Sequence, residues 1–157
     1  MKKIFLSILT LFLSLYAQEL KVQANYFESD DKKGKALFKG NVHIKKGIDE
    51  INANKVEIFT NKERIPYKYI ATGNVTFVIS AKSNVTYKGK AQKVIYFPQK
   101  KEYIFYTDVF IQQVGTNKMI QGQEVYLDAL NGKARAKSGK SKPVIMTFEL
   151  EEKQWSI

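Results

Sequence analysis

The chain has 157 residues, with 26 Lys and Arg against 15 Asp and Glu for a net charge of +11, one histidine and no cysteine. That length suits one domain with its own core, and the absence of cysteine excludes a disulfide-stapled scaffold and any thiol chemistry. The positive balance favours anionic partners without choosing among nucleic acid, anionic lipid and acidic glycan.

Lys2-Lys3 followed by the apolar run Ile4 to Tyr16 and the small residue Ala17 reads as a secretory signal, residues 1–17. The run is shorter than the about 20 residues that a membrane-spanning helix needs. With no cysteine to carry a lipid anchor, the expected product is a soluble exported domain, residues 18–157.

From there the chain reads as strand and turn. Lys21 to Phe27 alternates, with Val22, Ala24 and Tyr26 assigned to one side. Asp30-Asp31-Lys32-Lys33-Gly34 is a turn, after which Ala36, Phe38, Gly40, Val42 and Ile44 share a face. Lys45-Lys46-Gly47 turns again, and Val56 and Ile58 begin another register. Tyr67, Tyr69, Ala71, Gly73, Val75, Phe77 and Ile79 form the longest one-sided stripe. Pro98 to Lys101 turns into Tyr103, Phe105, Thr107, Val109 and Ile111. Asn131-Gly132 signals a type I′ hairpin, and Val144, Met146, Phe148 and Leu150 make a last strand before a charged tail. No segment beyond the leader carries the three-four spacing of an amphipathic helix. One all-β domain is expected.

Two phrases interleave along this pattern. Gly40-Asn41-Val42-His43-Ile44 returns as Gly73-Asn74-Val75-Thr76-Phe77 and, worn, as Thr107-Asp108-Val109-Phe110-Ile111. Between the copies run Ala53-Asn54-Lys55-Val56-Glu57-Ile58, Ala91-Gln92-Lys93-Val94-Ile95-Tyr96 and Gly122-Gln123-Glu124-Val125-Tyr126-Leu127. Such a period means one supersecondary unit stacked repeatedly, each copy burying its neighbour's apolar face. Tyr103 to Ile111 and Val94 to Phe97 are apolar on both faces. That fits two packed layers, or a sheet whose concave side holds something greasy.

Catalysis finds little to work with. His43 stands where the other copies have Thr76 and Phe110, an ordinary outward position, so neither a triad nor a metal cluster forms around it. Asp30, Asp31, Asp49, Glu50 and Asp128 sit beside turn residues, where local backbone hydrogen bonds account for them. Gly139-Lys140-Ser141 echoes the end of a phosphate-binding loop, but Ala134 replaces the required glycine and no helix follows. No catalytic residue, metal ligand or cofactor is expected. Basic clusters at Lys32 to Lys39, Lys100-Lys101 and Lys133 to Lys142 read either as guarded strand edges or as a rim for phosphates. They hold too few aromatics for a single-stranded nucleic-acid groove.

The signal, the length and the repeats Phe-x-Gly-Asn-Val-x-Ile and Ala-x-x-Val-x-Ile resemble the OstA-like, LptA-type family of lipopolysaccharide transport proteins. The likeness is clearest over Ala24 to Phe27, Gly34 to Val42 and Ile51 to Ile58, and departs from the pattern where the third repeat lacks Gly-Asn and where Pro66 enters. The resemblance implies an incompletely closed antiparallel β-jellyroll, folded like a taco and located in the periplasm of a Gram-negative envelope. It further implies a non-enzymatic role in outer-membrane biogenesis: acyl chains of lipopolysaccharide are shielded in an apolar groove and passed from inner to outer membrane. The implied partners are lipopolysaccharide, LptC-like and LptD-like proteins of the same fold, and further copies joined head to tail.

On that basis the groove is expected to be lined by Phe38, Val42, Ile44, Tyr69, Val75, Phe77, Ile79, Phe105, Val109 and Ile111, each on one face of its strand by parity. Lys133, Arg135 and Lys137 are expected as a phosphate-facing rim. Val22, Ala24 and Tyr26 on the first strand, and Val144, Met146 and Phe148 on the last, are expected as edge interfaces. The alternative is a structural or adhesive secreted β-repeat protein whose stripes are only core.

Overall fold

The computed structural model describes residues 19–150, so the expected leader and the end of the charged tail lie outside the described residues. The strands are β1 (Leu20–Gln23), β2 (Tyr26–Asp30), β3 (Lys35–Lys46), β4 (Asp49–Thr60), β5 (Pro66–Ser80), β6 (Thr86–Phe97), β7 (Glu102–Gln113), β8 (Met119–Asp128), β9 (Lys133–Lys137) and β10 (Ile145–Thr147). One 3-10 turn, Lys82–Asn84, interrupts them. All ten strands join one antiparallel sheet in chain order, and its first and last rows do not pair with each other. β1 and β2 lie end to end along β3, and β9 and β10 end to end along β8.

The repeated phrases are the place where every row bends. Gly40-Asn41, Gly73-Asn74 and Thr107-Asp108 all adopt positive φ, and the register shifts across each pair. Opposite each two-residue bulge the neighbouring rows place a single amide residue: Asn25, Asn54, Gln92 or Gln123. Two against one is the geometry of a β-bulge, which kinks the strand and raises its twist. A Cβ on Gly40 would sit 2.8 Å from Nδ2 of Asn25, and one on Gly73 2.6 Å from Nδ2 of Asn54, so the glycines admit the amides at the corner. Side-chain amides continue the seam: Gln92 Oε1 accepts from Asn74 N at 3.4 Å, and Gln123 Nε2 donates to Asp108 Oδ1 at 3.3 Å.

Bending every row at one level folds the sheet into two leaves. The upper leaf carries the turns at 47–48, 81–85 and 114–118. The lower leaf carries those at 31–34, 61–65, 98–101 and 129–132. Their apolar faces meet: the ring of Phe77 in the upper half of β5 lies 4.5 Å from that of Phe105 in the lower half of β7, two rows further along. Across the mouth, Lys82 N donates to Ala129 O at 3.0 Å.

Three expectations need correction. The first strand breaks at Ala24-Asn25, which turns Tyr26 to the outer face opposite Lys39 and brings Phe27 inward opposite Phe38. The last strand is only Ile145–Thr147. At Asn131-Gly132 only Gly132 has positive φ; Gly132 N donates to Asp128 O at 2.8 Å and the Asp128 carboxylate accepts from Asn131 N and Nδ2 at 2.9 and 2.8 Å, a wider turn than type I′.

Candidate functional site

The feature that sets this molecule apart from an ordinary sandwich is a single apolar face that runs the length of the sheet and emerges at both ends. Eight of the ten stripe residues, Val42, Ile44, Val75, Phe77, Ile79, Phe105, Val109 and Ile111, are buried on it, and Phe38 and Tyr69 pack against them half-buried. Parity within β3, β5 and β7 therefore located the inner face. The intervening rows add Ala53, Val56, Ile58, Ala91, Val94, Val125 and Leu127. Their inward set changes parity across the corner amide, from Ala53 to Val56 and from Ala91 to Val94; the Ala-x-x-Val spacing of the second phrase is the signal that carries them.

The middle of the interior is closed by side chains, with Val75 and Phe105 at 0% exposure. Space opens toward the ends. Near the first row a cavity of about 190 Å³ lies between Leu20, Ile44, Ile51 and Ile79 of the upper leaf and Tyr69, Tyr96 and Tyr103 of the lower. The three tyrosines stand in one register across β5, β6 and β7, with ring separations of 5.8 and 4.3 Å. Burial pushes all three phenols up, Tyr103 furthest, so they remain protonated and offer hydroxyls inside an apolar wall. Asp49 closes the rim above them; its carboxylate accepts from Ser80 N and Oγ at 2.6 and 2.7 Å, a reach across strands rather than the local turn bond expected of it. Near the last row an open hollow of about 490 Å³ is lined by Tyr87, Ile111, Ile120, Met146 and Phe148.

Because the leaves are displaced along the sheet, each projects past the other at one end. Phe27, 58% exposed, marks the first end, and Met146 and Phe148, 59% and 56% exposed, mark the last. Of the expected edge residues, Val22 pairs with Ile44 and Met146 with Ile120, both on the inner face, while Val144 precedes β10. Lys133, Arg135 and Lys137 lie on the outer face of β9, since Ala134 and Ala136 between them oppose the inward Leu127 and Val125. Arg135 covers the Tyr126 ring at 4.7 Å, and Lys137 reaches Glu124 at 3.3 Å.

His43 Nδ1 lies 2.6 Å from Asn52 Oδ1 on the outer face, the polar outward position expected of it. Among the described residues no group of His, Asp and Glu is placed to hold a metal ion, and no helix is long and apolar enough to cross a membrane.

The family described as "LptA/(LptD N-terminal domain) LPS transport protein" matches residues 21–139, which is most of the chain. The chain belongs to that LptA/LptD N-terminal domain family. No curated protein matches the sequence. Among solved structures the fold is similar to the crystal structure of LptH, described as the LptA homologous periplasmic component of the conserved lipopolysaccharide transport device from Pseudomonas aeruginosa. The TM-score is 0.73 at 20% identity, with 85% of this chain and 96% of that chain covered. At that identity the likeness establishes the LptA-like architecture, an antiparallel sheet left open.

Proposed function

We propose that this chain is a periplasmic component of lipopolysaccharide transport that shields acyl chains between its two leaves and hands the lipid from inner-membrane to outer-membrane partners of the same fold. The observation that carries this reading is the apolar face that stays uncovered at Phe27 on one end and at Met146 and Phe148 on the other. A core serving only stability has no reason to emerge at both ends of a sheet, because exposed apolar patches mark binding surfaces or aggregation hazards. Among the described residues the first and last rows have no partner on their outer sides, which supports strand addition between copies and to LptC-like and LptD-like partners. Nothing in the proposed role calls for catalysis.

A structural or adhesive β-repeat reading draws on the closed centre, where Phe77 and Phe105 fill the interior. A hydrophobic fluorophore separates the two: under the transport reading it enters the interior and lipopolysaccharide displaces it. A photo-crosslinker at Val75 or Phe77 should then capture lipopolysaccharide, while one at Thr76, on the outer face opposite Asn52, should not. Equal labelling at all three positions, or no displacement, would refute the groove.

A further inference from the structure

Among the described residues the two outer edges of the sheet carry opposite charge on the same face and at the same distance from the corner. On β2 the outward residues are Tyr26, Glu28 and Asp30, since Phe27 and Ser29 oppose the inner-face residues Phe38 and Ala36. On β9 the outward residues are Lys133, Arg135 and Lys137. Thr60 N donates to Gly34 O at 2.9 Å, so Gly34 and Ala36 turn their backbone groups to β4, and Lys35, Leu37 and Lys39 turn theirs to Asp30, Glu28 and Tyr26. The N–H and C=O groups left toward the open edge are those of Phe27 and Ser29, and the charged side chains flank them. Among the described residues Glu28, Lys133 and Arg135 have no ion-pair partner; Asp30 meets only Lys33, at 3.8 Å. Glu28 accepts from Tyr26 OH at 3.0 Å, and Arg135 lies over Tyr126, which leaves both charges at the edge.

The corners set a register for joining these edges. Rows with a single corner amide alternate with rows carrying two corner residues from Asn25 in the first row to Gln123 in β8, and the last row crosses the corner in the longer stretch 138–144 between β9 and β10. There a Cβ on Gly139 would stand 2.6 Å from the Gln123 side chain. A second copy added at the last row continues this alternation, and its first row runs antiparallel to β9 and β10 as every neighbour in the sheet does. Internal pairs flank each corner in one way: Lys39 opposite Lys55, Lys93 opposite Tyr106, Glu124 opposite Lys137. Carried across the join, that rule places Tyr26 of the next copy opposite Lys137, Glu28 opposite Arg135 and Asp30 opposite Lys133. It also sets Phe27 beside Ala136 and Val22 beside Met146 on the inner face. A slip of one residue sends Phe27 to the outer face, and a slip of two breaks the seam.

We infer that Glu28 and Asp30 of one copy pair with Arg135 and Lys133 of the next, an electrostatic key that fixes the register in which the sheets, and with them the apolar interiors, become continuous. The inference rests on the edge-addition reading above and assigns the basic strip of β9 to a protein partner. Cross-strand ion pairs are modest singly, but a reversed pair replaces attraction by repulsion at the same site. Sedimentation of the full exported domain across a concentration series at low salt tests it. Reversing either strip, Glu28→Lys with Asp30→Lys or Lys133→Glu with Arg135→Glu, should weaken self-association at least about tenfold while the circular-dichroism melt stays unchanged. Mixing the two variants, or combining all four changes in one chain, should restore it, and high salt should weaken the unmodified assembly. Association unaffected by either reversal overturns the key and leaves edge addition standing. An unmodified protein that stays monomeric at every concentration overturns both.

Discussion

At the scale of single residues the corner is where substitution is least tolerated. Gly73 has φ of +86° and faces Asn54, whereas Gly115 has φ of +78° and nothing within 4 Å of the place a Cβ would take. Alanine at either site meets the left-handed penalty of about 1–2 kcal/mol. Only Gly73→Ala must also push the Asn54 side chain out of the seam, at a further cost of about 1–3 kcal/mol for overpacking. Thermal melts of the two variants should therefore separate, with Gly73→Ala the less stable. Equal losses would show that the amide seam moves freely. Asp128 supplies a second test. Its bonds to the Asn131 side chain and backbone hold the carboxyl below its ordinary value of 3.8. A carboxyl depressed on folding contributes stability that is complete above its unfolded pKa and is lost as pH falls through the folded one. Asp128→Asn should thus melt lower than the unmodified protein at pH 7, and the gap should narrow below about pH 4. A gap constant down to pH 3 would mean that the loop is held by something else.

At the scale of elements, the sequence alone went a long way because strands advertise their faces by parity. The Gly-Asn-Val and Ala-x-x-Val phrases both mark strands, and the ten residues singled out from β3, β5 and β7 lie in the buried core or pack against it, whereas Tyr67 at the head of the β5 stripe is exposed. Parity fails where a row bends. Lys21 to Phe27 looks like one continuous strand, yet the corner at Asn25 flips its second half, so Tyr26 and Phe27 exchange faces. The same one-residue corner hides the run from Ala53 to Ile58 from any single alternation. Pairing between leaves is invisible in principle, because which stripe meets which depends on how far the leaves slide. Nothing local announces that Phe77 of β5 meets Phe105 of β7 rather than a neighbour in its own leaf. The outward turn of Lys133, Arg135 and Lys137 was legible from the alanines between them, Ala134 and Ala136. Their charge alone could not say whether a lipid phosphate or an acidic strand faces them, because both suit a basic strip.

At the scale of the whole molecule, the volumes set how a lipid would enter under the proposed role. Sites for drug-sized ligands run to about 300–1,000 Å³. The cavity beside Tyr69, Tyr96 and Tyr103 is about 190 Å³, and Phe77 and Phe105 meet in the interior. Under the proposed role, a long acyl chain therefore needs the leaves to part. They are tied at the corner by every row, so the free movement lies at the mouth, where the backbone bond from Lys82 N to Ala129 O bridges the two leaves. The upper side of that bridge is a strained turn, with Ser83 and Asn84 at φ of 63° and 59°. Left-handed residues of this kind cost of order 1–3 kcal/mol each and persist only where neighbours hold them, so the bridge is a contact that can be given up. The 3.0 Å backbone bond makes Lys82 and Ala129 the place to try a disulfide, which needs Cα atoms about 4.4–6.8 Å apart. In a Lys82→Cys, Ala129→Cys variant, oxidation should lock the mouth and reduce lipopolysaccharide capture severalfold, and reduction should restore it. The exposed apolar ends would be unchanged in both states, so binding of a small hydrophobic fluorophore near Met146 and Phe148 should survive the lock. If the oxidised variant captures lipopolysaccharide as well as the reduced one, the leaves need not open, and the lipid is held along the outer reaches of the inner face instead.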